Sequence, residues 1–335
     1  MNPLLHGGDL EAFGRQNPEA LRPLIDLSTG INPRAYEVSI DKDWLVRLPT
    51  RSDDEACCAA FANYSGVDQA FVHVMPGTQT IISGLPYLFC EKRVAVLSPT
   101  YGEHEACWRA AGHTVSTYPA SEILTADADV IVVTNPNNPD GHVFEDAALH
   151  ACRARQQARD GWLIVDEAFI DCMPELSVAK EVKRGGLLVL RSFGKFFGLA
   201  GLRLGFLLAP ENIAAPLAQR LGPWSASTPA LRIAAKAYGD VDWIAETRLQ
   251  LNQQMDRLLE RVVPRCGREV GRTPLFALVK VENSAGLARH LADHGIFIRT
   301  FPNMPNYLRF GLPGEPWAWD RLETALTEWE CKHEC

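Results

Sequence analysis

The run Val130-Ile-Val-Val-Thr134 constrains the fold more than any other stretch. β-Branched residues suit a pleated surface, and an unbroken apolar run suits burial on both faces. That is the habit of a strand inside a parallel sheet covered by helices. Comparable strand patterns lie at 71–75, 93–97, 114–118, 162–165, 187–190 and 206–209. Helical patterns separate several of them, at 53–64, about 80–89, 103–111 and about 145–159. The alternation predicts an α/β fold with a mostly parallel sheet.

Such sheets bind ligands beyond the carboxyl ends of their strands. Strand 71–75 runs into Pro76-Gly77-Thr78-Gln79, a turn able to offer backbone N–H groups to a phosphate. Strand 93–97 ends at Ser98-Pro-Thr-Tyr101-Gly, and strand 130–134 at Asn135-Pro-Asn-Asn138-Pro-Asp-Gly141. Strand 162–165 delivers Asp166-Glu167. A carboxylate at the end of an apolar strand is costly without a partner, and a protonated pyridine nitrogen is one such partner. Asn138 can donate to a ring oxygen, and Tyr101 can lie flat on a ring. Taken singly, Asp166 also reads as a helix cap, Asn138 as a turn residue and Tyr101 as surface packing.

Strand 187–190 leads into Ser192-Phe-Gly-Lys195-Phe-Phe-Gly198-Leu-Ala-Gly201-Leu-Arg203-Leu-Gly205-Phe. One lysine sits there among small residues and aromatics, where desolvation disfavours the ammonium. Such a lysine is a candidate nucleophile for a Schiff base. The glycines allow close approach of the backbone, and the planar fork of Arg203 fits a phosphate. Gly77, Thr78, Gln79 and Ser192 complete that phosphate end. Together these residues predict pyridoxal 5'-phosphate (PLP) carried on Lys195. A surface lysine beside a glycine-rich bend is the plainer alternative.

The chain's 335 residues suit one large domain and a smaller one. We divide it into an N-terminal arm with part of the small domain (1–50), a large cofactor domain (51–230) and a C-terminal small domain with its linking helix (231–335). Residues 1–50 read as irregular, either an arm crossing a site or a plain surface arm. Beyond 230 the pattern gives a long helix to 263, broken near Tyr238-Gly239, then a strand at 275–281 and a helix at 285–294. Strands at 295–299 and 306–311 and a helix at about 316–330 follow. The net charge of −8 argues against nucleic acid and against a polybasic membrane anchor. No apolar run approaches the ~18 residues of a membrane span, and the N-terminus lacks the basic start of a secretory signal. Nine cysteines without a CxxC pair point to reduced thiols and a cytoplasmic setting. The tail Cys331-Lys-His333-Glu-Cys335 offers too few ligands for a closed metal site, so no metal is expected.

Asn135-Pro-Asn-Asn-Pro-Asp-Gly141, Asp166-Glu-Ala-Phe169, Ser192-Phe-Gly-Lys195 and the run from Gly198 to Phe206 resemble the fold-type I PLP aminotransferase family, over about residues 50–312. The resemblance implies the PLP-dependent transferase fold, a mostly parallel seven-stranded sheet in a large domain beside a small α+β domain. It implies Lys195 as the Schiff-base lysine, Asp166 on the pyridine nitrogen and Asn138 on the ring oxygen. It places Ser192, Arg203 and the Gly77-Thr78 turn on the phosphate and Arg309 on the substrate carboxylate. It also implies a homodimer with its active site at the subunit interface. Two positions depart from the family: Phe169 and Leu48 stand where it often has tyrosine.

The N-terminal stretches His6-Gly-Gly-Asp-Leu, Asp26-Leu-Ser-Thr-Gly-Ile-Asn-Pro33 and Trp44-Leu-Val-Arg-Leu-Pro49 resemble one branch of that family. That branch decarboxylates L-threonine O-3-phosphate to (R)-1-aminopropan-2-ol O-2-phosphate in cobalamin biosynthesis. By this resemblance His6, Asn32, Arg299 and Arg309 hold the carboxylate and phosphate of a small phosphorylated substrate. Arg299 ends a strand ten residues before Arg309, so a hairpin can bring the two together. The rival activities are an aminotransferase acting on histidinol phosphate or a related amino acid, and a non-catalytic binding module on the same fold. Intact Lys195, Asp166 and Asn138 argue against the latter.

Overall fold

The computed structural model describes residues 6–333, with side chains to Cys331, so the rest of the 331–335 tail's side chains lie outside the described residues. Its strands are β1 (Ile25–Leu27), β2 (Val72–Met75), β3 (Arg93–Leu97), β4 (Thr114–Tyr118), β5 (Val130–Thr134) and β6 (Trp162–Asp166). They continue with β7 (Leu187–Ser192), β8 (Gly205–Leu208), β9 (Arg268–Thr273), β10 (Phe276–Lys280), β11 (Ile296–Thr300) and β12 (Tyr307–Gly311). The chain forms two compact units. The larger takes Ala35–Asn138 and His142–Ile244; the smaller takes the residues before Ala35, Pro139–Gly141 and those from Ala245 onward.

The larger unit holds a seven-stranded sheet in the order β2-β8-β7-β6-β5-β3-β4. Only β8 runs antiparallel to its neighbours, so the sheet is the mostly parallel one that the sequence implies. All five residues of β5 are buried, as its β-branched run requires. One face of the sheet packs Val94, Val96, Val132, Ile164 and Leu188 against Ile81 and Trp108. The opposite face carries aromatics: Phe61 stacks on Phe206 at 4.2 Å and Phe193 on Phe197 at 4.6 Å. Phe61 projects from the helix Arg51–Ser65, which Thr50 and Asp53 open with a reciprocal capping box and Gly66 closes at φ 69°.

A buried ionic group lies between the ends of β6 and β7. Arg191 reaches Glu167 at 3.3 Å and also pairs with Asp171. Glu167 accepts from the Ser177 hydroxyl at 2.7 Å and the Val178 N–H at 2.8 Å. Burial pushes the Glu167 carboxyl up, against the pull of Arg191. Charges so deeply buried survive only when paired. This pairing fixes the residues next to Asp166 and Ser192.

The smaller unit holds a five-stranded sheet in the order β1-β11-β12-β10-β9. Residues 6–50 are not simply irregular. They form a helix, Leu10–Gln16, whose N-cap Asp9 accepts from Ala12, and β1, which pairs in parallel with β11. A three-residue strand is too short to show alternation, so its pattern was invisible. The edge strand β9 was equally hidden, being mostly exposed and polar. In the larger unit the helix Glu211–Leu221 carries Pro216 inside it, which masks its periodicity. The break in the long helix falls where the sequence places it, between Thr228–Gly239 and Val241–Cys266.

Candidate active site

Lys195 stands in the short helical turn Phe193–Phe196, entered directly from β7. Phe193 and Phe196 are fully buried and fix that turn, while Lys195 is half-buried. Its Nζ lies 5.8 Å from the centre of the Phe169 ring. Phe169 follows Asp166 by three residues and is itself buried.

Asp166 ends β6 with 4% exposure. Its Oδ1 accepts from the Ala168 N–H at 3.0 Å, and its Oδ2 lies 3.0 Å from His104 Nε2. His104, missed from sequence, is 2% exposed and sits in the first turn of the helix Glu103–Ala110. It follows Tyr101 by three residues, and that spacing was the available signal. The Tyr101 and His104 rings meet edge to face at 6.1 Å. Burial, with Glu103 and Asp166 adding to it, pushes the Tyr101 hydroxyl up to about 12. It therefore stays protonated and donates to Gln79 Oε1 at 2.9 Å.

Gln79 belongs to the helix Thr78–Gly84, whose N-cap Gly77 has φ 82° and offers no capping side chain. A Cβ on Gly77 would stand 3.0 Å from Arg203 Nη2. The bare glycine thus keeps room for the guanidinium, which Ala200 steadies by accepting from Nη1 at 3.1 Å. Arg203 itself adopts a left-handed φ of 53°, unusual outside glycine. Ser192 closes β7, and Phe193 N–H donates to the Leu204 carbonyl. Contacts therefore link Arg203 to Gly77, Gln79 to Tyr101, Tyr101 to His104, His104 to Asp166 and Phe169 to Lys195, and short steps along the chain join these pairs.

The loop after β5 is fastened to the one after β3. Thr100 Oγ1 donates to Asn137 Oδ1 at 2.7 Å, and Asn137 Nδ2 donates to the Pro99 carbonyl at 2.9 Å. Asn138 follows, half-buried. These residues fit PLP by their chemistry: an amine, a buried carboxylate, an aromatic, an amide and a guanidinium over a side-chain-free turn.

In the smaller unit, Arg299 on β11 and Arg309 on β12 face each other in register. Arg309 is 7% exposed, donates from Nη2 to the Ser28 carbonyl at 2.7 Å and lies over the Phe276 ring at 4.9 Å. Burial, aided by the neighbouring Arg299, pushes the Arg309 guanidinium down to about 9, against the pull of Asp26. Two adjacent cations of this kind are suited to an anion. Ser28, which lies in the quoted stretch Asp26–Pro33 but was given no role there, is fully buried and donates to Asp26 at 2.6 Å while accepting from the Gly8 N–H at 2.8 Å. The segment His6-Gly7-Gly8 is thereby held on the same loop, with the His6 side chain exposed. Asn32 is buried, and its Oδ1 accepts from the Arg34 N–H at 2.9 Å.

The sheet and the residues at its strand ends define a class I/II aminotransferase architecture. Residues 36–316 match the family Aminotransferase class I and II, and the chain belongs to it. It is 42% identical to a threonine-phosphate decarboxylase of Pseudomonas aeruginosa over 96% of this chain and 97% of that protein. A threonine-phosphate decarboxylase of a Sinorhizobium species is 40% identical over 98% and 99% of the two chains. Among solved structures, the histidinol-phosphate aminotransferase from Clostridium acetobutylicum superposes with a TM-score of 0.81 at 24% identity, over 92% of this chain and 100% of that one. Among the described residues no helix is long and apolar enough to cross a membrane.

Proposed function

We propose that this chain is a PLP-dependent threonine-phosphate decarboxylase, converting L-threonine O-3-phosphate to (R)-1-aminopropan-2-ol O-2-phosphate and CO2 in cobalamin biosynthesis. The observation that carries the reading is the in-register pair Arg299 and Arg309, two cations for a substrate bearing a carboxylate and a phosphate. The near full-length likeness to two decarboxylases supports it.

In this reading Lys195 would carry the cofactor, Asp166 would serve its ring nitrogen, Asn138 its ring oxygen and Tyr101 its ring. Gly77, Thr78, Gln79, Ser192 and Arg203 take its phosphate. When bound, PLP supplies an electron sink for the bonding pair released at the substrate's Cα. His104, held against Asp166, keeps that carboxylate in place. Arg299 and Arg309, with His6 and Asn32, bind and orient the substrate's anionic groups, and orientation decides which Cα bond breaks. A firm grip on the phosphate favours decarboxylation, because a strong ion pair to the carboxylate stabilises the ground state more than the CO2-like transition state. Lys195 then returns a proton to Cα as general acid.

The reading extends to a homodimer, supported by exposed apolar side chains at Leu45, Val46 and Leu48, 62–67% accessible. Sedimentation velocity tests it. A cytoplasmic setting is supported by eight free cysteines among the described residues.

The decisive experiment gives L-threonine O-3-phosphate to PLP-loaded protein and measures CO2 beside the cofactor spectrum. Stoichiometric CO2 with the starting spectrum restored is expected. No CO2, with conversion of the cofactor to its pyridoxamine form by glutamate or histidinol phosphate, makes the enzyme a transaminase instead.

A further inference from the structure

His290 and His294 lie four residues apart, the first in the helix Ser284–Asp293 and the second as its C-cap. Glu328 projects toward them from the helix Pro316–His333. One ligand atom from each of the three lies within 4.8 Å of the other two.

The hydrogen bonds around the rings fix how they are protonated. His290 Nε2 lies 2.8 Å from the Ala325 carbonyl, and His294 Nδ1 lies 2.9 Å from the His290 carbonyl. A carbonyl oxygen only accepts, so each of these nitrogens carries the hydrogen. In the neutral rings the lone pairs then belong to His290 Nδ1 and His294 Nε2. Metal-binding histidines are held in this way, with the second nitrogen donating to a backbone carbonyl. His294 Nε2 stands 3.3 Å from Glu328 Oε2. A lone pair facing a carboxylate is repulsive, so one positive charge belongs between them, either a proton or a metal ion.

We propose that His290, His294 and Glu328 form a site for a divalent first-row metal, with Zn2+ the best match, that ties the helix Ser284–Asp293 to the helix Pro316–His333. Two imidazoles and one carboxylate form a ligand set that zinc accepts, leaving a fourth position for water. Zinc bonds of ~2.1 Å require ligand atoms roughly 3.4 Å apart in a tetrahedral site. Ligand atoms as far as 4.8 Å apart must therefore close by up to about 1.4 Å on binding. Glu328, half-exposed, supplies that movement, while buried His290 stays fixed. Binding displaces whatever proton His294 carries.

The test titrates Zn2+ into metal-stripped, full-length, PLP-loaded protein against a chromogenic chelator, with melting followed in parallel. One equivalent per chain and a Tm that rises with Zn2+ are expected. Co2+ should give the visible bands of a four-coordinate ion. His294→Gln and Glu328→Gln should each weaken binding at least tenfold and abolish the Tm rise. Cys331→Ser, which removes the exposed thiol three residues beyond Glu328, should leave both unchanged. No uptake of Zn2+ overturns the proposal and leaves a proton-bridged ion pair. Uptake that survives both His294→Gln and Glu328→Gln, or that is lost only with Cys331→Ser, overturns it equally, since the metal then binds elsewhere.

Discussion

His104 Nε2 stands 3.0 Å from Asp166 Oδ2, with both side chains almost entirely buried. The pair joins the helix after β3 to the end of β6 and, with the Ala168 N–H, fixes the carboxylate assigned to the cofactor nitrogen. Replacing His104 by Ala leaves a buried carboxylate without that donor, a loss worth about 1.5–3 kcal/mol. We expect kcat to fall roughly 10- to 100-fold, with an altered cofactor absorbance and little change in KM. A variant with normal kcat and spectrum would show that the contact is structural only.

Gly77 carries φ 82° and leaves its Cβ position 3.0 Å from Arg203 Nη2. Gly77→Ala meets two obstacles, since at φ 82° and ψ 157° an L-residue costs about 1–3 kcal/mol and the methyl displaces the guanidinium. The expected result is weaker retention of PLP, by about 10-fold, read by dialysis and fluorescence of the released cofactor. Arg203→Lys should weaken retention as well, because an ammonium cannot reproduce the planar fork. PLP held as tightly as in the parent by both variants would remove this turn from the phosphate site.

The larger unit was legible because its signals are local. β5, β6 and β7 announce themselves as largely buried apolar runs, and Asn138, Asp166 and Lys195 sit at or just beyond their ends. Only its spacing from Tyr101 hinted at His104, because its role depends on a helix from one β–α unit meeting a strand end from another. Ser28 was illegible for the same reason: it contributes its backbone carbonyl, which no side-chain pattern reports, to an arginine far along the chain. β1 is short and β9 is polar, so their pairing partners, not their composition, make them strands.

The cap of the helix Arg51–Ser65 makes a prediction about acid stability. Asp53 is disfavoured as an anion by burial, yet the hydrogen bonds from Arg232 and Thr50 outweigh this and hold it below the usual carboxylate range. A carboxyl lowered in the folded state stabilises above its unfolded value and loses that contribution as pH falls through its folded one. Asp53→Asn should therefore cost about 1 kcal/mol at pH 7, seen as a lower urea midpoint. The gap between variant and parent should narrow progressively below about pH 4. A gap independent of pH would mean that shape, not charge, makes the cap.

Arg309 separates stability from function. Its charge is buried and set beside Arg299, both of which disfavour it, while Asp26 favours it. Replacing it by an apolar side chain of similar length relieves that burial but leaves Asp26 and the Ser28 carbonyl without it. Arg309→Met is accordingly expected to melt only slightly below the parent, relief of the buried charge offsetting most of the lost bond to the Ser28 carbonyl. Its KM for L-threonine O-3-phosphate should rise roughly 100-fold. The parent protein, and not the variant, should gain Tm from millimolar inorganic phosphate at pH 7, because an anion restores the balance that burial and Arg299 upset. A variant that melts several degrees lower with an unchanged KM would make Arg309 a structural residue and move substrate binding elsewhere.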